Sequence, residues 1–415
     1  MTARSSDVSA PPPLASRDWT SVAAGAVFLL WLASGYWTIA PMSIASGLAA
    51  MALFVSRYRG RSPGWNRSPA DAGAAAWALA MILSAAFALD RSASFARLGK
   101  LLFPLLVGLA AWHARDPVIG RRAIAVLLVS CSLSAVFGLA GFMVHGASFA
   151  SRARGPVGHY LTFAGQLAIG AALAIAIALV VRDRRWRWAA AVCAALAISA
   201  LAATYTRSSW LGLIGGSALM LALTRPLALV PLGLAVALLA ILAPGDFRER
   251  LWSSFDLSSR WNEQRQYMWQ AGARMFRDHP LTGVGLQDLR SLYEQYRPPA
   301  ATESAGHLHS VPVHVAATMG LVGLAALVVL LVSLARTAGA GLRARLRRGG
   351  LSGAVSLGAL GALAAFVVAG LFEWNLGDEE VLHPLYALIG LAWAARSWGE
   401  EPAGVAPLPS ASERA

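Results

Sequence analysis

The sequence predicts an all-α polytopic membrane protein with about twelve transmembrane helices and one large polar loop between the ninth and the tenth. Three observations carry that expectation. Hydrophobic residues make up 57% of the 415 and charged residues only 13%, a balance that a soluble domain could keep only by exposing large apolar surface. Apolar stretches recur at the roughly 20 residues needed to cross a hydrocarbon core of about 30 Å. The polar residues, by contrast, are gathered into one island running from Pro244 to Leu308.

Taken in order, residues 1–18 carry Pro11-Pro12-Pro13 and little apolar content, and are expected to form a disordered cytoplasmic tail before an uncleaved first helix. Residues 19–243 hold nine transmembrane segments, starting near Ser21, Pro41, Asp71, Ser94, Ala123, His159, Trp186, Ser208 and Pro226. The short gaps inside the Ser21/Pro41 and Ser208/Pro226 pairs predict tight helical hairpins. Residues 244–308 are the loop. Residues 309–398 supply three more segments, from His309, Leu351 and Glu379, and residues 399–415, with Pro, Gly and Ser, read as a second disordered cytoplasmic tail.

A net charge of +14 could suggest a nucleic-acid partner, but the arginines argue against one. They cluster in alternate short loops, at Arg57–Arg67, Arg115–Arg122, Arg182–Arg187 and Arg336–Arg348, whereas in the island they are balanced by acids. The positive-inside rule then puts those loops and both termini in the cytoplasm and the island outside. Lys100 is the only lysine in the chain, so an arginine is weak evidence of function by itself. Cys131 and Cys193 fall in separate helices, too few for a disulfide framework or a metal site, and read as packing residues.

On the outward side, charges collect at helix ends: Arg152 and Arg154 before the sixth helix, Arg207 between the seventh and eighth, and Glu373 and Asp378 after the eleventh. Charges at such depth are expensive unless they pair or line a wet cavity, and the alternative for each is snorkelling to the interface. Within the island, helical spacing predicts an amphipathic helix over Trp261–Asp278, suited by Trp252, Trp261, Trp269 and Phe276 to lie on the outer leaflet, and a short helix over Leu286–Tyr296. Both helices could equally just cap the bundle. Three histidines, His307, His309 and His314, crowd the re-entry point. In a helix starting near His309, His314 would point about 140° away, and no H-E-x-x-H spacing is present, so neither metal nor cofactor is expected. A lone imidazole with a pKa near 6.5 is matched to taking a proton from a sugar hydroxyl.

At these residues the chain resembles the O-antigen ligase and polymerase superfamily of bacterial inner membranes, over about Arg152 to Pro384. His309-Ser310 running into Gly320-Leu321-Val322-Gly323 resembles the family's His-Asn and Gly-Leu-x-Gly pair. Arg265, Trp269 and Asp278-His279-Pro280-Leu281-Thr282-Gly283-Val284-Gly285 resemble its Arg-x-x-x-Trp and Asp-His-Pro-Leu-x-Gly-x-Gly patterns. Thr206-Arg207 with Trp210-Leu211-Gly212, Arg152 through Ala164, and Glu373 through Asp378 resemble three further motifs in the same order. Ser310 and Thr206 depart from the usual Asn and Ser, without touching the histidine or the guanidinium.

The resemblance implies a GT-C-type fold and an O-antigen ligase working in the inner membrane with its site facing the periplasm. It would transfer polysaccharide from undecaprenyl diphosphate to a sugar hydroxyl of lipid A-core, among membrane lipids, without metal or cofactor. His309 would be the base and Arg207 and Arg265 the diphosphate ligands, since guanidinium forks bind phosphate bidentately and never lose charge. Arg152, Arg154, Glu373 and Asp378 would help to bind substrate, with one carboxylate orienting the histidine or an arginine. An O-antigen polymerase is expected to show two large outward loops where this chain has one, and a protein O-oligosaccharyltransferase shares the motifs. A lipid or glycan transporter would need paired broken helices in two related halves, and no such symmetry is visible.

Overall fold

The structure, a computed structural model, describes residues 19–60, 65, 67–242, 245–253, 256 and 259–398. The two expected tails, 1–18 and 399–415, and Pro244 at the start of the island lie outside the described residues. The described chain is all-helical, without a strand. Each of the twelve apolar segments is helical. The first five are α1 (Trp19–Ser34), α2 (Ile39–Tyr58), α3 (Pro69–Ala86), a composite of α4 (Arg91–Ala96), a 3-10 stretch Leu98–Leu105 and α5 (Leu106–His113), and α6 (Pro117–Val144). Then come α7 (Tyr160–Val180), α8 (Arg184–Ala203), α9 (Arg207–Thr224) and α10 (Leu229–Leu242).

The island folds into α11 (Gly245–Trp252), α12 (Arg260–Asp278) and α13 (Arg290–Tyr296). After it come α14 (Val311–Gly339), the basic α15 (Leu342–Arg348), α16 (Leu351–Gly370) and α17 (Glu379–Ala394). Eight helices are long and apolar enough to cross a membrane, and two apolar ones are shorter. Helix α9 opens on Arg207, Ser208 and Ser209, and α17 has only 16 residues, so neither meets that measure. The centre of the bundle is α7 and α16, whose alanines and glycines are mostly buried and let neighbouring helices approach closely.

The island is a packed cap. Along α12, Gln264, Met268, Ala271, Gly272 and Met275 form a buried stripe. The stripe shares a small core with Val284, Leu289, Tyr293, Leu308 and Ala317. This helix therefore spends its apolar face on α14 rather than on lipid, while Trp252 and Trp261 remain exposed. Helix α13 is shorter than expected because the chain from Val284 to Leu289 is pinned in a non-helical path, and Asp288 instead accepts from the Arg290 backbone N–H (2.9 Å).

Helix α14 starts at Val311, not at His309. Ser310 is extended, Pro312 stands in the first turn, and His309 adopts a left-handed backbone (φ 44°). The helix then breaks at Gly320 (φ 60°, ψ −154°), and the Pro280–Gly285 segment docks into the break. The Leu321 and Val322 N–H groups donate to the carbonyls of Pro280 (2.8 Å) and Leu281 (3.1 Å). On the other side, Ala317 and Thr318 carbonyls accept from Val284 (2.9 Å) and Gly285 (3.0 Å). The loop thus satisfies the polar groups that the break exposes, a requirement wherever non-helical backbone enters a membrane. Both Gly283 and Gly320 have positive φ, and a Cβ on either would lie 2.2 Å and 2.4 Å from the facing backbone. Only glycine fits that approach.

Candidate active site

Helix ends and loops from four parts of the chain meet at the island end of the bundle. Arg207 is the first residue of α9, Arg265 lies two turns into α12, His309 precedes α14, and Glu373 sits in the turn between α16 and α17. Glu373 is the hub. Its carboxylate accepts from His309 Nδ1 (2.8 Å), from Arg265 Nη2 (3.3 Å) and from the backbone N–H of Trp374 (3.0 Å). Burial by itself would push this acid up. The hydrogen bond and positive charge of His309, with Arg265 and the Trp374 N–H, outweigh burial and hold it at about 2. An ionised Glu373 can only accept, so Nδ1 of His309 carries a hydrogen, and whenever the ring is neutral the lone pair is on Nε2.

Arg207 donates to Asn262 Oδ1 (2.9 Å) and Ser253 Oγ (3.2 Å), which aim its guanidinium toward α12. With Arg152, Arg250 and Arg265 it lines a cavity of about 190 Å³ whose wall also includes Tyr205 and His309. Burial and then the positive charges of Arg207, Arg152 and Arg265 push Arg250 down to about 10. Four guanidinium groups around one small cavity repel one another, and a polyanion would relieve that repulsion. Two of the three described non-glycine residues with positive φ, Tyr205 (52°) and His309 (44°), lie in this cavity wall. Such backbones cost on the order of 1–3 kcal/mol each and cluster where function requires a fixed geometry. Arg207 and Arg265 also reach one end of a second, apolar groove of about 490 Å³, walled by residues such as Leu211, Ile214, Val236, Leu239 and Phe247.

The remaining candidates fall around this centre. Arg152 lines the arginine cavity, its guanidinium stacked over Phe149 (4.0 Å) and Tyr160 (4.2 Å). Arg154 is exposed and outside the cavity wall. Asp378 contacts neither His309 nor an arginine, but accepts from Thr162 Oγ1 (3.3 Å). Burial, reinforced by negative Glu373 and Glu380, pushes its carboxyl up to about 7.

His307, which carried no site role in the sequence, joins the site. Its ring centroid is 4.4 Å from that of His309, and its Nε2 is 3.9 Å from Glu373. The cause is the left-handed His309, which reverses the chain before the helix begins. His307, His309 and Glu373 consequently form the sort of three-ligand group that the sequence spacing argued against, with ligand atoms within 4.8 Å of one another. A dication there would have to share Glu373 with the Arg265 guanidinium, which favours a proton-transfer role for the group over a metal-binding one.

Sequence reasoning missed three contributors. Asn262 is one helical turn before Arg265, so its face could have been read from the i, i+3 spacing. Arg250 carries no signal among so many arginines. Tyr205 was visible only as part of the motif before Arg207.

The comparisons with known proteins bear on the same stretch. A comparison with curated proteins found no match. Over residues 192–328, from α8 to just past the break in α14, the chain matches the family model described as O-antigen ligase, a match that takes in Arg207, Arg250, Arg265 and His309. It leaves out Arg152 and Glu373, and it supports the resemblance of the chain's motifs to the O-antigen ligase superfamily.

Proposed function

We propose that this protein is an O-antigen ligase: a GT-C-type glycosyltransferase of the bacterial inner membrane that moves polysaccharide from undecaprenyl diphosphate to a sugar hydroxyl of lipid A-core. In this reading all twelve apolar segments cross the membrane, both termini are cytoplasmic and the island is periplasmic. The observation that carries it is Glu373, bound at once to His309 and to Arg265, which themselves line a cavity together with three further arginines. The apolar groove beside Arg207 and Arg265 has the character needed for a polyprenyl chain, with the guanidinium groups where its diphosphate would sit.

The chemistry follows from these positions. The acceptor oxygen attacks the anomeric carbon of the donor as the bond from that carbon to the diphosphate oxygen breaks. The bonding pair leaves with the diphosphate, whose charge Arg207 and Arg265 bind, with Arg152 and Arg250 alongside. Nε2 of His309 takes the hydroxyl proton, while Glu373 fixes the tautomer and stabilises the imidazolium. Attack from the face opposite the leaving group inverts the anomeric centre. Because diphosphate is already an activated leaving group, fixed charge can take the place of a metal ion.

Purified protein given undecaprenyl-diphosphate-linked polysaccharide and lipid A-core should form glycosylated lipid A-core and release undecaprenyl diphosphate, in excess chelator as well as without it. Lengthening of the lipid-linked donor in place of transfer to core would identify a polymerase. Abolition by chelator with rescue by magnesium or manganese would turn His307, His309 and Glu373 into ligands and overturn the base mechanism.

A further inference from the structure

We propose that a second cavity, on the side of His307 away from the arginine cavity, is the acceptor subsite and takes an anionic sugar, one bearing phosphate or carboxylate. The inference rests on the transfer reaction proposed above and names the place of its second substrate.

The cavity measures about 210 Å³ and lies between the 3-10 stretch Leu98–Leu105, the start of α13 and the turn after α16. Arg97, Lys100 and Arg290 bring three positive charges to its wall, and Asp288 a single negative one. Asp288 sits 4.0 Å from Arg97 and 3.8 Å from Arg290, distances too long for hydrogen bonds, so both guanidinium groups keep donors to offer. Lys100 gives one hydrogen bond to the Gly377 carbonyl (3.0 Å) and lies 3.9 Å from Glu379. As the only lysine in an arginine-biased chain, it is not explained by that bias. Its compact ammonium with three rotatable donors suits a single anionic oxygen.

Trp77, Phe103, Trp374 and Tyr386 supply the apolar walls that sugar C–H faces pack against. His314, 7% exposed, completes this wall. The cavity's position fits as well. His307 lines it while its neighbour His309 lines the arginine cavity, so the two chambers meet at the pair of rings. A hydroxyl presented from here would reach His309 past the His307 ring and not through the arginine cavity.

Transfer should be measured at saturating donor for the wild type, Lys100→Gln, Arg290→Gln and Lys100→Arg, with Arg277→Gln as an exposed charge control from the same loop. Lys100→Gln and Arg290→Gln should each raise the acceptor KM by about tenfold, the lower end of what a charge-assisted hydrogen bond contributes. Donor KM and the turnover at saturating acceptor should stay within about twofold, and Lys100→Arg should recover most of the effect because it keeps the charge. Repeating the series with acceptor stripped of phosphate, and with acceptor whose carboxylates are amidated, identifies the anion: the wild-type advantage disappears with whichever group binds here. An unchanged acceptor KM in Lys100→Gln and Arg290→Gln, or a change indifferent to both treatments, overturns the subsite while the transferase reading stands. Wild type that transfers to no form of lipid A-core overturns both.

Discussion

Arg345 and Arg265 sit at opposite ends of the same bundle, and their surroundings differ in kind. Arg345, in the basic α15, is 5% exposed and spends its guanidinium on backbone carbonyls: Ala392 (2.9 Å), Ser352 (3.4 Å) and Ala340. It closes the ends of helices with both terminal nitrogens, and its remaining Nε is buried. Arg265 gives one described hydrogen bond, to Glu373, and turns the rest of its fork toward a cavity shared with three more arginines. The backbone follows the same division. At the Arg345 end, α14 joins α15 and α15 joins α16 through short turns, whereas the Arg265 end holds the left-handed Tyr205 and His309 and the broken helix at Gly320. An arginine whose terminal nitrogens are spent on its own fold's carbonyls is structural. One kept near others of like charge, with donors to spare, is suited to an anion.

Substitutions can break this contrast, and the largest effect is expected at the Glu373 hub. His309→Ala removes proton abstraction and should lower turnover by about 10²–10⁴-fold at saturating donor. Donor binding, measured by retention of the lipid-linked glycan, should be nearly intact. Arg345→Ala should do the reverse, leaving turnover per folded molecule within about twofold while lowering the melting temperature, because three carbonyls lose their donor. A His309→Ala protein that turns over normally would remove the base, and loss of turnover in well-folded Arg345→Ala would erase the distinction between the two ends.

A smaller effect is expected where charge is kept and shape is lost. Arg265→Lys preserves the cation next to Glu373 but not the planar fork, and should weaken donor binding and turnover together, by about 10–100-fold. Arg345→Lys should alter only stability. Gly320→Ala tests the backbone side of the comparison. Its Cβ would meet the Leu281 backbone at 2.4 Å in a region of φ that alanine avoids, so the Pro280–Gly285 segment should undock and destabilise the protein by more than the ~1 kcal/mol typical of glycine substitutions. Protease nicking within residues 280–285 would report the release. If Gly320→Ala is as protected as the wild type, the docked loop is not what stabilises the break.

Much of this organisation was legible before the structure was known. The twelve helix positions follow from apolar runs alone, because burying a backbone in lipid leaves helix as the only local solution. Arg207, Arg265, His309 and Glu373 could be named together through the order of the family's motifs, although composition could not have separated them from thirty-two other arginines and seven other histidines. The start of α14 could have been read correctly, since Ser310 followed by Pro312 is an N-terminal signal that outweighs the histidine before it. The break at Gly320 could not. Gly320-Leu321-Val322-Gly323 sits in an unbroken apolar run, and only the distant carbonyls of Pro280 and Leu281 make the irregular backbone stable there. His307 was lost with it, because its direction depends on one left-handed residue that no local pattern announces.

The smallest expected effect is also the most specific to the charge balance of the island end. Burial, aided by Glu373 and Glu380, lifts the Asp378 carboxyl from its ordinary 3.8 to about 7. Between those two values the folded protein holds a proton that the unfolded chain gives up. The stability contributed by this group is therefore complete below about pH 4 and is lost as pH rises through about 7. Asp378→Asn mimics the protonated acid at every pH and keeps an acceptor for Thr162. In detergent its melting temperature should match that of the wild type at pH 4 and exceed it at pH 8, with the gap opening between. Arg345→Gln should lower the melting temperature by the same amount across that range, since an arginine does not titrate there. A gap between Asp378→Asn and wild type that is constant from pH 4 to pH 8 would mean that the Asp378 carboxyl does not titrate in that window. Glu373 would then be balanced by His309 and Arg265 without any help from a neutral neighbour.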